Sequence, residues 1–197
     1  RPLQEISESF QELAVVVNSQ NLVEVSPFCR ACSRVSVLFA CLGIAFKFGE
    51  IDYVAKVKDL EEASKTISTL QSILDHDVRQ NTVKKAGSHS RNLLRVKRGL
   101  DMVRVLFENL LVTEGNSLRD SASVAYDQVF SPYHGWAIRK AVAAGMYMLP
   151  TKSQLMAKLN ENEVSARVHM QNYITASRVL ILYINDLFIS RNFGIDW

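Results

Sequence analysis

Apolar residues recur at three- and four-residue intervals along almost the whole chain, and no segment alternates with period two between turn signals. The pattern predicts helices over 3–18, 26–46, 50–75, 82–113, 120–130, 136–148, 151–159 and 163–190. Pro2, Pro27, Pro132 and Pro150 each stand where a helix can begin. Ser26-Pro27 reads as an N-cap followed by the first helical residue, and Thr151-x-x-Gln154 as a capping box. The longest apolar run, VSVLFACLGIAF at 35–46, is shorter than the ~20 residues that span a bilayer, so it reads as a core helix. With no internal repeat and no dividing linker, residues 1–197 are expected to form one all-helical domain.

Two of these helices carry a second stripe. In 82–113 the ordinary core face is Leu93, Val96, Leu100, Val103, Phe107 and Leu110. Arg91 and Arg95 project to roughly the opposite side, and their stripe continues as Met102 and Leu106. In 50–75, Asp52 and Lys56 begin a stripe that continues as Leu60, Ala63, Ile67, Leu70 and Leu74. The plain reading is a solvated basic face and an exposed i,i+4 ion pair. The alternative is that two stripes, charged at one end and apolar at the other, line one cavity. Its mouth would take an anionic group and its depth hydrocarbon, as in a single-lipid site. A third element, SPYHGWAIRKAVAAG at 131–145, places His134 near a helix start beside Trp136. His134 is either a cap or a hydrogen-bond donor to a ligand. Trp136 is either core or an aromatic at headgroup level. Ala141, Ala144 and Gly145 permit close approach of a helix or an acyl chain.

Composition narrows the function classes. Hydrophobic residues make up 48% and charged residues 22%, as in an ordinary globular protein. The net charge is only +3, yet the window 79–104 holds eight Lys and Arg against the single acid Asp101. A nucleic-acid-binding domain would carry more charge and outward aromatics among the basic residues, so no nucleic-acid partner is expected. Cys29, Cys32 and Cys41 are too few for a disulfide scaffold and lack a second pair for zinc. They read as packing residues. Ser88, His89 and Ser90 form no catalytic triad, and no phosphate-cradling glycine loop is present. No enzyme, metal or cofactor is expected. There is no signal peptide or glycosylation sequon, so the expected location is cytoplasmic, peripheral at membranes. The chain opens at Arg1 rather than methionine, which leaves room for native residues ahead of it.

Several segments resemble the glycolipid transfer protein family. RVKRGL at 95–100 resembles its Trp-Leu-Lys-Arg-Gly-Leu segment, DYVAK at 52–56 its Asp-x-x-x-Asn motif, and YHGW at 133–136 its histidine segment. CLGIAFKF, AGSHSRNLLRVKRGLDMV and HGWAIRKAV resemble more closely the plant members that carry ceramide-1-phosphate. The likeness runs from about residue 5 to the terminal GIDW. It implies a two-layer sandwich of about eight helices that moves one sphingolipid between membranes. Sugar-binding members stack a glycan on the motif tryptophan, where Arg95 stands here, and use asparagine where Lys56 stands. Both changes put a cation in place of a sugar-reading group, so a phosphate headgroup is expected.

The resemblance implies that Asp52 accepts from the lipid amide and a hydroxyl. Lys56, Arg91 and Arg95 would hold phosphate oxygens, and His134 would donate to the amide carbonyl. Leu60, Ile67, Leu70, Met102 and Leu106 would line the apolar pocket, and Trp136 would touch the membrane. Arg98 is less committed, with Asp101 or Glu108 as other partners. Lys97 and Arg98 could also face an anionic bilayer. The expected ligand is ceramide-1-phosphate or its phyto form, carried by a monomer with transient membrane contact. Family likeness also links the chain to control of programmed cell death in plants. A helical adaptor, or a lipid sensor without net transfer, is the alternative.

Overall fold

The computed structural model describes residues 1–197. Nine α-helices follow one another: α1 Pro2–Gln20, α2 Val25–Cys41, α3 Lys47–Ala63, α4 Leu70–Gln80, α5 His89–Val112, α6 Arg119–Val129, α7 Trp136–Gly145, α8 Lys152–Lys158 and α9 Glu163–Ile189. Single 3-10 turns lie at Ile44–Phe46, Ser131–Tyr133 and Met146–Met148. The fold is all-α, as expected.

The boundaries depart from the periodic pattern where the backbone finds other partners. The span 50–75 is two helices. Val25 N–H donates to Ser68 O at 2.8 Å and Leu70 N–H to Val23 O at 2.9 Å, making an isolated antiparallel bridge of Glu24 with Thr69. The Thr69 side chain then caps α4 by accepting from Ser72 N–H. The span 26–46 breaks at Gly43, whose φ of +81° suits a residue without Cβ. Residues 82–88 are turns, because Asn81 ends α4 in the left-handed region and Ser88 caps α5. The N-cap of α2 is Glu24, not Ser26. The Thr151–Gln154 capping box is present in full.

Helix α5 is the spine. It packs on α9, α3, α6 and α4, while α9 also lies along α1, and α2 joins α1 to α3. The helices bury one cluster of 52 residues between their layers. Tyr173 of α9 is fully buried within it. Its ring meets Phe10 of α1 and Phe107 of α5 edge-on at 5.2 and 5.5 Å, and its hydroxyl donates to Leu100 O at 2.8 Å. The apolar ring joins three helices and the polar tip is satisfied inside α5. Cys29 and Cys32 are buried on α2, and burial, with Glu61 adding to it, pushes the Cys29 thiol up to about 12. Both thiols act as packing groups.

The α3–α5 contact depends on Gly99. Tyr53 of α3 donates to Cys32 O at 2.7 Å, which fixes its ring directly over Gly99. A Cβ on Gly99 would lie 2.8 Å from that ring. Gly99→Ala is expected to destabilise the protein by about 1–3 kcal/mol through overpacking. Urea denaturation tests this, and an unchanged midpoint would show that the ring can yield.

Candidate functional site

Three elements converge at one end of α5. Helix α3 supplies Asp52 and Lys56, one turn apart and ion-paired at 2.5 Å. The first half of α5 supplies Arg91, Arg95, Lys97 and Arg98. The segment after α6 supplies Tyr133 and His134. The start of α5 is well anchored: Ser88 Oγ accepts from Arg91 N–H at 3.0 Å, and Asp77 of α4 accepts from Ser90 N–H at 2.8 Å. Burial would raise the Asp77 carboxyl, but the hydrogen bonds from Ser90 and His76 outweigh it and hold it below its ordinary value. These caps bring fixed negative charge to the helix N-terminus.

Arg95 is the anomaly. Its Nη1 is buried and has no hydrogen-bond partner, and the guanidinium takes part in no ion pair. Burial, with repulsion from Arg91 and Arg98, pulls it down to about 10, while Asp52 works in the opposite direction. The Asp52 field also reaches His134, whose imidazole is lowered by burial, supported by Asp52 and lowered further by Arg98. One carboxylate therefore acts on both Arg95 and the histidine. Arg91 is tethered by one Nη1 donation to Lys84 O at 3.0 Å and lies 5.9 Å from the centre of the Trp197 ring. Its remaining donors stay unused by the protein.

Arg98 and Lys97 differ from expectation. Arg98 pairs with neither Asp101 nor Glu108, because Arg104 holds both, at 2.7 and 2.9 Å. Arg98 is buried instead. It donates to Ile195 O and Trp197 O at 2.8 and 2.6 Å and stacks 3.6 Å from the Tyr133 ring. It clasps the tail of the chain against the site. Lys97 is buried too, so neither residue is placed to meet a bilayer.

Trp136 opens α7 and is 68% exposed, on a helix with no buried residue. It is not core. Ile138, Tyr147 and Met148 are exposed beside it. The turn at 44–46 packs against α7, with Ala45 Cα only 3.3 Å from where a Gly145 Cβ would lie. That contact explains the small residue at 145 and adds Ile44, Phe48 and Ile51 to the exposed apolar surface. Phe48, 87% exposed, was not singled out from sequence, although Ile44, Phe48 and Ile51 keep helical spacing. Tyr133 and Trp197 were also missed, since nothing local marks either as a partner of an arginine 35 or 99 residues away.

Leu60 and Leu70 are fully buried, Met102 and Leu106 nearly so, and Ile67 packs against them in the same cluster. The five residues expected to hold chains are thus closely packed here. An open groove of about 760 Å³ lies elsewhere, between the end of α5, α8 and the start of α9.

The sequence pattern of the family described as Glycolipid transfer protein (GLTP) matches residues 23–161. The chain belongs to that family. It is 58% identical to accelerated cell death 11 of Arabidopsis thaliana, over 100% of this chain and 97% of the relative. Among solved structures it resembles a mutant of that Arabidopsis protein complexed with C12 ceramide-1-phosphate, with a TM-score of 0.97 and full coverage of both chains. It has the fold of human ceramide-1-phosphate transfer protein, at 18% identity and a TM-score of 0.82 over 95% of each chain. Within this family fold, the site described above sits on α3, α5 and the segment leading into α7.

Lys97 provides a pH test of the cation cluster. Burial pushes its ammonium down to about 8; Asp101 opposes the shift, Arg98 adds to it and Asp196 opposes it. Between about 8 and the ordinary value of 10.5 the unfolded chain therefore holds more protons than the folded one. This group's contribution to stability rises with pH through that window. Lys97→Met is expected to remove that rise and to raise stability at neutral pH. Denaturation midpoints at several pH values check it, and an unchanged slope would sink the assignment.

Proposed function

We propose that the whole chain, residues 1–197, works as one sphingolipid-transfer domain that carries ceramide-1-phosphate, or its phyto form, between membranes. The observation that carries this reading is the half-buried guanidinium of Arg95, whose buried Nη1 has no partner. A desolvated cation with unused donors is costly by itself and is repaid by an anion that fits it. Arg91 and Lys56 add cationic donors at the same end of α5. Asp52 offsets the cluster in the absence of lipid and accepts from the lipid amide and hydroxyl, while His134 donates to the amide carbonyl. Leu60, Ile67, Leu70, Met102 and Leu106 take the chains by moving apart.

No covalent bond changes. Moving CH₂ groups from bilayer to protein interior is close to neutral, since both are apolar. Selectivity therefore rests on the headgroup. The relatives named for ceramide-1-phosphate, and the Arabidopsis complex with that lipid, support the same substrate here. The name of the Arabidopsis relative supports a link to control of cell death in plants. No helix is long and apolar enough to cross a membrane. The exposed surface of Ile44, Phe48, Trp136, Ile138, Tyr147 and Met148 is the membrane contact of a peripheral protein. Lys140 stands 5.9 Å from the Trp136 ring, and Arg119 4.7 Å from the Tyr147 ring. They bring positive charge to its rim. The protein acts as a monomer in the cytoplasm.

Arg95→Met separates function from stability. The lipid-free variant is expected to gain stability, because an unpaired buried charge is replaced by an apolar side chain. Transfer of ceramide-1-phosphate between vesicles is expected to fall by at least about tenfold. Normal transfer by both Arg95→Met and Lys56→Ala would refute the phosphate site.

The membrane contact is tested separately. Phe48→Ser combined with Trp136→Ala should weaken vesicle sedimentation and slow transfer, while ceramide-1-phosphate binding in dilute detergent stays intact. Unchanged sedimentation would place the contact elsewhere.

A further inference from the structure

The His134 imidazole is held from two directions. Tyr126 in the last turn of α6 and Phe130 at its C-cap stand one turn apart, and His134 follows four residues later. The His134 and Phe130 rings stack with centroids 5.7 Å apart at 20°. The Tyr126 hydroxyl lies 2.7 Å from His134 Nδ1, and this is its one hydrogen-bond partner. Tyr126 is 6% exposed. His134 Nε2 has no partner in the protein.

We infer that Tyr126 is a positioning residue, whose hydroxyl donates to Nδ1 and so fixes His134 as the tautomer that carries its proton on Nε2. The direction of the bond follows from satisfaction of donors. If Nδ1 held the proton and donated to the phenol oxygen, the Tyr126 O–H would have no acceptor within the protein. With the phenol donating, both groups are satisfied. The remaining imidazole N–H then lies at the free edge of a ring whose plane Phe130 sets. Burial raises the Tyr126 phenol above its ordinary value, with Arg139 opposing and Asp127 adding, so the hydroxyl keeps its proton at neutral pH.

This deepens the proposed function and rests on the reading that His134 donates to the lipid amide carbonyl. A donor pointed at the carbonyl before the lipid arrives avoids a tautomer change on binding. It also explains why an imidazole so close to Asp52 is useful in its neutral form. The groups that face the ring are Asp52 from α3, Arg98 from α5 and Tyr126 from α6. Donation by Tyr126 favours the neutral ring, as burial and Arg98 do, and only Asp52 favours the charged one.

The experiment is ¹⁵N NMR of the histidine side chains in the lipid-free protein, with vesicle transfer measured in parallel. In the wild-type protein Nδ1 of His134 is expected to show the shift of an unprotonated, hydrogen-bonded nitrogen. In Tyr126→Phe, which keeps the ring and removes only the hydroxyl, an Nδ1–H population appears and the His134 titration midpoint moves up. Transfer of ceramide-1-phosphate falls about threefold to tenfold, the size of one lost hydrogen bond. A wild-type ring protonated on Nδ1, or a Tyr126→Phe variant with unmoved shifts and midpoint, would overturn the inference. His134→Ala tests the underlying reading by itself: full transfer by that variant refutes the role of His134 in binding and leaves the tautomer result standing.

Discussion

A charged guanidinium held half inside the protein without a counter-charge is the constraint around which the site is built. In the empty fold, burial and its neighbours Arg91 and Arg98 all act against the charge of Arg95. Asp52 eases the cost from α3 without touching the buried Nη1. A helix can tolerate such a residue only if the rest of its length is firmly packed. Helix α5 is packed by Tyr173 at Leu100, by Tyr53 at Gly99, and by Asp77 and Ser88 at its first turn. The stable contacts and the unsatisfied one share a helix, so the cation is presented by a rigid part rather than a loop.

The remaining cations show how the fold separates binding groups from scaffolding. Arg91, Arg95, Lys97 and Arg98 fall within eight residues, yet they have four different environments. Arg98 is spent on the carbonyls of Ile195 and Trp197 and on the Tyr133 ring. Lys97 is buried, with its ammonium lowered. Arg91 is tethered but keeps free donors, and Arg95 keeps all of them. The tail that Arg98 holds brings Trp197 beneath Arg91 and Asp196 near Lys97. Residues 195–197 thus pack against the cationic stretch of α5.

Much of this was legible in the residues. The 3–4 periodicity located the helices but ran α3 and α4 together as one, and the charged heads with apolar tails on 50–75 and 82–113 singled out Asp52, Lys56, Arg91 and Arg95. His134 stood out near a helix start beside Trp136, and its role toward an amide carbonyl came from a resemblance of short motifs. The errors have specific causes. The break at 64–69 could not be foreseen, because its backbone groups pair with residues 23–25, more than forty positions away. Arg98 was matched to acids on its own helix, but Arg104, better placed at three and four residues' spacing, takes them. Phe48 fell between two expected helices and drew no notice, and only the packed structure shows it at the start of α3 facing solvent.

Helix formation is a local matter of propensity, capping and one apolar stripe, and those are written in stretches of ten to thirty residues. That is why fold class and the faces of α3 and α5 could be read directly. Whether a given charge is paired depends on a sum over everything within a few ångströms, drawn from distant parts of the chain. Only the packed protein could decide that Arg98 is satisfied by residues 195 and 197 and that Arg95 is not. The same holds for His134: its proton position depends on Tyr126, eight residues earlier, which reaches it because α6 ends in a turn that folds the ring back.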